Sequence, residues 1–246
     1  MSAPRPWRLA EAADAPFPPA GTALRRPDGL LAVGGDLEPV RLLNAYASGI
    51  FPWSSEGGPL LWWSPDPRVV FRTDAIHLSR RFRRQARGCG WTVTADTAFD
   101  AVMQACASVP RPGQEGTWID PAMQHAYAAL HALGAAHSLE VWDEAQLVGG
   151  IYGVGMGRMF FGESMFSARS GGSKVALAAL GRLLHDWGIP VLDAQVENPH
   201  LMRMGAVRWP RQAFLDHVRD HVRQPGPMGR WTDRVGRRTV RQLIDG

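Results

Sequence analysis

In the stretch "VLDAQV", Asp193 and Gln195 stand two residues apart. On a strand that spacing sends both side chains to one face. A carboxylate beside an amide can position an amine and take its proton, as acyl transfer to an amine requires. The same pair at a strand end can instead satisfy loop backbone. A second acid, Glu163, sits in "FFGESMFS" at 160–167. Strict alternation there puts Phe161, Glu163 and Met165 on one face, with Phe160, Gly162, Ser164 and Phe166 on the other. A carboxylate among Phe and Met is costly unless a cation or a hydrogen-bonding group meets it.

Other segments carry weaker chemistry. "SARSGGSK" ends in Ser173 and Lys174 at the start of a helical pattern, where backbone N–H groups can gather around an anion. It lacks the G-x-x-x-x-G-K-[ST] spacing of a nucleotide loop, and Lys174 as a solvated first-turn residue is the plainer reading. "GVGMG" at 153–157 reads as a strand that needs close backbone approach. Arg80, Arg81, Arg83, Arg84 and Arg87 crowd one short helix, which suits phosphates but also a solvated face. Tryptophans in "YASGIFPW", "LLWWSPDPR" and "GTWI" can stack on bases or fill a core. His217 and His221 have i, i+4 spacing without the glutamate of H-E-x-x-H, and His125, His131 and His137 span a helix and a strand; no metal site is expected.

The elements that must position these groups follow from turn and cap signals. Pro39 opens a helix that stops at Gly49, and Pro65 and Pro67 break two strand-like runs, marking a seam near residue 70. Ser79 caps the arginine helix. Asp96 after "WTVTA" reads as the cap of a helix presenting Phe99, Val102, Met103 and Cys106. Asp120 and Pro121 open another helix, with Met123, Tyr127, Leu130 and Leu133 on one side. "HSLEVW", "QLVGGIYGVG" and "RMFFGESMF" form three antiparallel strands; a helix closed by Gly188, the "PVLDAQV" strand and a helix from Pro210 follow. The fold class expected is α+β: a small N-terminal domain over 1–70 with a partly loose leader, a catalytic domain with a mostly antiparallel mixed sheet over 71–224, and a loose basic tail over 225–246. The order of these strands and helices is also that of the second half of the acetyltransferase-like acyl-transfer fold, which order alone does not establish.

The 246 residues allow a sizeable core, with 45% hydrophobic and 20% charged residues. Net charge is +4, and Lys174 is the single lysine among 27 basic residues. Arginine favours bidentate phosphate contacts, so a nucleic acid is a plausible partner. Two cysteines, Cys89 and Cys106, make no disulfide framework and fit a reducing cytoplasm. No apolar run is long enough to cross a bilayer.

Taken together, "PDGLLAVGGDL", "AYASGIFPW", "LLWWSPDPR", "EGTWI", "LVGGIYGV", "FFGESMFS", Ser173-Lys174, "LDAQ" and "MGA" followed by "WPR" resemble the bacterial leucyl/phenylalanyl-tRNA–protein transferases, in family order over about residues 25 to 215. The resemblance implies transfer of Leu or Phe, sometimes Met, from aminoacyl-tRNA to an N-terminal Arg or Lys of a protein, marking it for degradation. It implies no cofactor, triphosphate or metal. Asp193 and Gln195 would stand at the reaction centre, with Asp193 holding the acceptor amine as base or positioner. Phe161, Met165 and Ile151 would form the side-chain pocket, and Glu163 would meet a substrate cation. Tyr46, Trp53 and Trp118 match positions around the aminoacyl-adenosine, and Tyr127 and Asn198 are further carry-overs. The arginine helix and Lys174 would bind the tRNA acceptor stem. The chain departs from the family's usual residues at Ala194, whose side chain is expected on the opposite face from Asp193, and at Arg203. A monomer is expected. Two other readings are a CoA-dependent N-acyltransferase, whose R/Q-x-x-G-x-G/A motif is absent, and a non-catalytic RNA-binding module.

Overall fold

The computed structural model describes residues 5–55, 57–109 and 118–244; Glu115 to Thr117 of the "EGTWI" motif lie outside them. The chain opens with β1 (Trp7–Arg8) and a single 3-10 turn (Ala20–Thr22), then β2 (Leu30–Val33), α1 (Pro39–Ala47), β3 (Phe51–Pro52) and β4 (Leu61–Trp63). Next come β5 (Arg68–Arg72), α2 (Arg80–Arg87), β6 (Thr92–Ala95), α3 (Phe99–Ser108) and α4 (Pro121–Ala132). The centre is β7 (Ala136–Asp143), β8 (Gln146–Met156), β9 (Met159–Ser167), α5 (Gly172–Asp186) and β10 (Val191–Gln195). The chain closes with α6 (Pro199–Arg203), β11 (Val207–Trp209), α7 (Arg211–His221), α8 (Thr232–Val235), β12 (Arg238–Thr239) and α9 (Val240–Ile244).

This is a mixed α+β structure with two sheets. The smaller has the order β1-β2-β4-β3; the larger runs β11-β5-β10-β9-β8-β7-β6-β12. In the larger sheet β9 and β10 are parallel, and the other neighbouring pairs are antiparallel. Alternate residues of its strands enter two cores: Val70, Phe161 and Val191 join one, while Val69, Phe71, Phe160 and Leu192 join the other. Helices α3 and α4 fill the first core with Phe99, Val102, Met103, Met123, Tyr127 and Leu130. Helix α5 fills the second with Val175, Leu177, Leu180 and Leu184. Among the described residues no helix is long and apolar enough to cross a membrane.

Local signals explain most helix starts. The Ser79 hydroxyl accepts from the Phe82 N–H at 3.2 Å, and an Asp120 carboxylate oxygen accepts from the Met123 N–H at 2.8 Å. Asp96 departs from its expected role. The residue preceding α3 is Ala98, and Asp96 adopts a left-handed backbone with φ 56°. Its buried carboxylate instead accepts from the N–H groups of Ser138 (2.9 Å) and Trp231 (2.7 Å) and contacts Nδ1 of His137 at 2.9 Å. Burial alone would raise its pKa, but the bonds from His137, Trp231 and Ser138 outweigh it and hold the carboxyl below its ordinary value.

Those contacts overturn the expectation of a loose tail. Trp231 is fully buried and stacks on His137 at 3.9 Å, β12 pairs with β6, and Val240, Leu243 and Ile244 complete the second core. Gly and Pro interrupt any periodicity in this segment, so its few apolar anchors do not read as an element. The leader is likewise tied down from Trp7 to Ala12. Strand β1 pairs with β2, and the buried Arg41 donates to the carbonyls of Ala10, Glu11 and Ala12 while pairing with Asp36. Strand β5 lies wholly in the larger sheet, so a division at residue 70 would cut through it.

Trp231→Ala is expected to lower unfolding free energy by about 3–5 kcal/mol, the usual cost of removing a buried Trp. Urea denaturation measures it.

Candidate active site

A cavity of about 400 Å³ opens where β9 and β10 run side by side. Its apolar lining includes Phe51, Trp53, Ile151, Met165, Leu177 and Leu192, and its polar lining includes Glu163, Gln195, Asn198 and His200. That size and mixture suit a small ligand with an apolar body and a polar end.

Two ladder irregularities shape it. In the β8–β9 pair, Tyr152 faces Ser164 but Gly153 faces Gly162, so Glu163 is the extra residue of a bulge. A Cβ at Gly153 would collide with the Phe161 carbonyl and the Phe160 ring, so a side chain there would not fit beside the bulge. The bulge reverses the expected phase. Phe161 is fully buried in the first core, against the Tyr46 ring, and does not line the cavity; Met165 faces the other side, opposite its cross-strand partner Ile151. The grouping of Phe161 with Met165 therefore fails because period-two alternation assumes an unbroken ladder.

The second irregularity falls between Asp193 and Gln195, where Gln195 has φ 62°. The Asp193 side chain is fully buried, and Arg68 holds it by two bonds, Nε to Oδ1 at 2.8 Å and Nη2 to Oδ2 at 2.6 Å. Oδ1 also accepts from the Gln195 N–H at 2.9 Å. Asp193 thus reaches the cavity wall with its carboxylate already engaged by Arg68 and by the Gln195 N–H. Ala194, expected on the opposite face, lies on the cavity wall beside Asp193 and Gln195. Gln195 turns its amide to Glu163, Nε2 donating to Oε1 at 2.8 Å.

Glu163 meets no cation in this cluster. The Tyr46 hydroxyl lies 2.7 Å from Oε1 and the Tyr127 hydroxyl 2.9 Å from Oε2. Burial pushes the carboxyl up to about 8, against the pull of the Tyr46, Tyr127 and Gln195 bonds and with a further rise from the Asp193 charge. Burial also drives both tyrosines well above their ordinary values. Tyr46 and Tyr127 are fully buried behind Glu163, so Tyr46 has no ring face open for a base to stack on. Trp53 and Trp118 do line the cavity, and Trp63 braces Trp53 by donating from Nε1 to its carbonyl at 2.6 Å. Asn198 lines the cavity and caps α6, accepting from the His200 N–H at 2.7 Å.

Lys174 lies beside the arginine-rich α2. Arg80, Arg81, Arg84 and Arg87 of α2 are exposed and Arg83 is half-buried. The Phe82 ring carries the Lys174 ammonium at 5.2 Å. Lys174 and Arg203 both act on the cavity residue His200; burial first, then these two charges, hold its pKa below the ordinary value. Among the described residues no group of three His, Cys, Asp or Glu could hold a metal ion.

Arg68 is the residue that sequence reasoning missed. It ends the run "LLWWSPDPR", and the available signal was chemical: an aspartate inside an apolar strand needs a buried cation.

Arg68→Met should destabilise the protein by about 3–5 kcal/mol by leaving Asp193 buried and unpaired, while the Arg68→Met/Asp193→Leu double variant should lose far less. A denaturant double-mutant cycle measures both. Glu163 gives a pH signature. Between its unfolded value of 4.5 and its folded value of about 8, the native state holds a proton that the unfolded chain has released. The Glu163 contribution to stability therefore declines as pH rises through that window, and is flat beyond it. Relative to wild type, Glu163→Gln should gain stability steadily over the same window, read from urea midpoints.

The chain is similar to known proteins along most of its length. The Leucyl/phenylalanyl-tRNA protein transferase family matches residues 70–219, and its N-terminal domain matches residues 35–66. A leucyl/phenylalanyl-tRNA–protein transferase of Xanthomonas campestris pv. campestris (strain B100) is 66% identical over 238 residues, covering 97% of this chain and 96% of that protein. The one from Xylella fastidiosa (strain 9a5c) is 59% identical over 239 residues, covering 97% and 98%. A solved structure of a functionally unknown conserved protein from Staphylococcus epidermidis overlaps at a TM-score of 0.41 with 13% identity, covering 74% of this chain and 68% of that one. The chain belongs to the leucyl/phenylalanyl-tRNA–protein transferase family, enzymes that move an aminoacyl group from tRNA to protein.

Proposed function

We propose that the cavity between β9 and β10 receives the aminoacyl end of Leu- or Phe-tRNA and that the acceptor is a protein with N-terminal Arg or Lys, which the added residue marks for degradation in the cytoplasm. The observation that carries the reading is the pairing, in one cavity of about 400 Å³, of an apolar lining with the hydrogen-bonded Glu163–Gln195 pair. Ile151, Met165, Leu177 and Leu192 would enclose the Leu or Phe side chain, and Trp53 or Trp118 would stack on the terminal adenine. The ester is already activated, so the enzyme's main contribution is to hold ester carbon and amine together and route protons. Gln195 would fix that geometry at the reacting groups. Asp193, locked by Arg68, would act as a positioning residue that holds the Gln195 backbone.

The larger sheet, with β7, β8 and β9 antiparallel and α5 leading to a β10 parallel to β9, supports kinship with the acetyltransferase-like acyl-transfer fold. We infer two units meeting near Pro65–Pro67, acting as a monomer. Helix α2 and Lys174 would track acceptor-stem phosphates largely without reading sequence.

Labelled Leu-tRNA incubated with peptides beginning Arg or Ala, and acetyl-CoA in a parallel tube, tests the activity. RNase-sensitive transfer to the Arg peptide alone is the expected result; acetylation without aminoacyl transfer would overturn it. Changing Arg80, Arg81 and Arg84 together to Ala should flatten the plot of log affinity against log salt by about one unit for each phosphate no longer neutralised. Filter binding over a salt series reads the slope.

A further inference from the structure

Counting protons around Glu163 bears on its charge. The Tyr46 and Tyr127 hydroxyl oxygens stand 2.5 Å apart, and each also lies within hydrogen-bond distance of one Glu163 oxygen, at 2.7 Å and 2.9 Å. Each of these oxygen–oxygen approaches needs a proton of its own, and the phenols supply one apiece, leaving one approach without. With Glu163 ionised, the carboxylate draws both phenol hydrogens, and whichever way they turn one approach lacks a proton. With both turned to Glu163, the Tyr46–Tyr127 approach would oppose lone pair to lone pair at 2.5 Å, between two fully buried side chains. A protonated carboxyl supplies the missing hydrogen. Oε1 already receives Tyr46 and the Gln195 amide, which fills both its lone pairs. The acid proton therefore belongs on Oε2 and is donated to Tyr127, which donates to Tyr46, which donates to Oε1.

We propose that Glu163 stands in the free enzyme as a neutral carboxylic acid closing this ring, and that it shuttles one proton between the two substrates during acyl transfer. The proposal rests on the reading that transfer occurs in this cavity. A neutral acceptor amine attacks the ester carbon, forming the C–N bond and leaving positive charge on nitrogen and negative charge on the former carbonyl oxygen. As that oxygen re-forms the carbonyl, the C–O bond to the ribose breaks. The Glu163 carboxyl turns about its Cγ–Cδ bond, exchanging its Tyr127 and Gln195 contacts, so that Oε2–H leaves Tyr127, faces the cavity and gives its proton to the departing ribose oxygen. The resulting carboxylate takes a proton from the nitrogen, leaving an amide, a free tRNA hydroxyl and the acid restored. The phenols hold the carboxylate between the two steps.

The groups around Glu163 favour this cycle from every side. Helix α1 presents Tyr46, α4 presents Tyr127, β8 presents Tyr152 against Tyr127, and β10 presents Gln195 and the Asp193 charge, which Arg68 of β5 matches. Among the described residues, Glu163's hydrogen-bond partners are Tyr46, Tyr127 and Gln195, none of them cationic. Burial raises its carboxyl in the same direction.

The test uses the full-length enzyme labelled with ¹³C at the glutamate carboxyl, with Glu163→Gln to assign the resonance. The expected titration midpoint is about 8; a midpoint near the ordinary carboxylate value of about 4 would overturn the neutral acid. In single-turnover transfer from Leu-tRNA to an Arg peptide, Glu163→Gln keeps hydrogen-bonding groups for the ring but cannot exchange a proton. Its rate should fall about 100- to 10,000-fold with KM near wild type, and a wild-type rate would overturn the shuttle. Ile151→Trp, which fills the cavity, separates the two claims. Wild-type transfer by Ile151→Trp overturns the site itself; loss there with full activity in Glu163→Gln overturns the shuttle alone.

Discussion

The arrangement hangs on one buried ion pair, Arg68 with Asp193. Both side chains are wholly inaccessible, and a charge taken out of water is tolerated only when its partner and its remaining hydrogen-bonding groups are all met. Arg68 meets them from four directions. Its guanidinium grips both Asp193 oxygens, lies 4.6 Å from the Phe51 ring centroid and 4.5 Å from that of Phe214, and donates to the Gly49 carbonyl at 3.3 Å. Strand β5, strand β10, the turn before β3 and helix α7 therefore meet at one cation. Because Asp193 also accepts from the Gln195 N–H, the pair fixes the left-handed turn of Gln195, and through its amide the outer oxygen of Glu163.

The cavity forms where two ladders break. A regular sheet presents alternate side chains to two filled cores and leaves no opening between strands. Here the β8–β9 bulge and the shift in the β5–β10 pair fall on adjacent strands, at Glu163 and at Asp193–Gln195. Each extra residue re-aims a polar side chain. Glycine at 153 makes the first break sterically possible, and the Arg68–Asp193 pair holds the second.

Much of this was legible in the sequence, for a physical reason. Caps and starts such as Ser79, Asp120 and Pro39 act over three or four residues, so the local sequence contains the whole interaction. The buried stripe of Phe99, Val102, Met103 and Cys106 follows from helical period alone. What escaped depends on distant partners. Phe161 parts from Met165 because of a bulge set by the neighbouring strand, and Asp96 leaves its helix for Trp231, 135 residues on. Asp193 finds Arg68 across 125 residues. The candidate acids were visible by type, but their charge states were not, since those belong to the surroundings.

Those surroundings divide two carboxyl groups of nearly equal intrinsic acidity into different tasks. Asp193 faces a guanidinium that cannot release its proton, so its charge is matched and held. Glu163, half-buried at the cavity, faces two fully buried phenols and an amide, and the Asp193 charge works against its ionisation. One negative charge is accommodated near the strand ends; a second would stand in low dielectric with no cation of its own. The same ion pair that fixes the geometry therefore also helps to decide which acid keeps its proton. The transfer we propose must take a proton from nitrogen and return one to oxygen; it is best served by a group able to do both near neutral pH, and the cavity offers Glu163 for it.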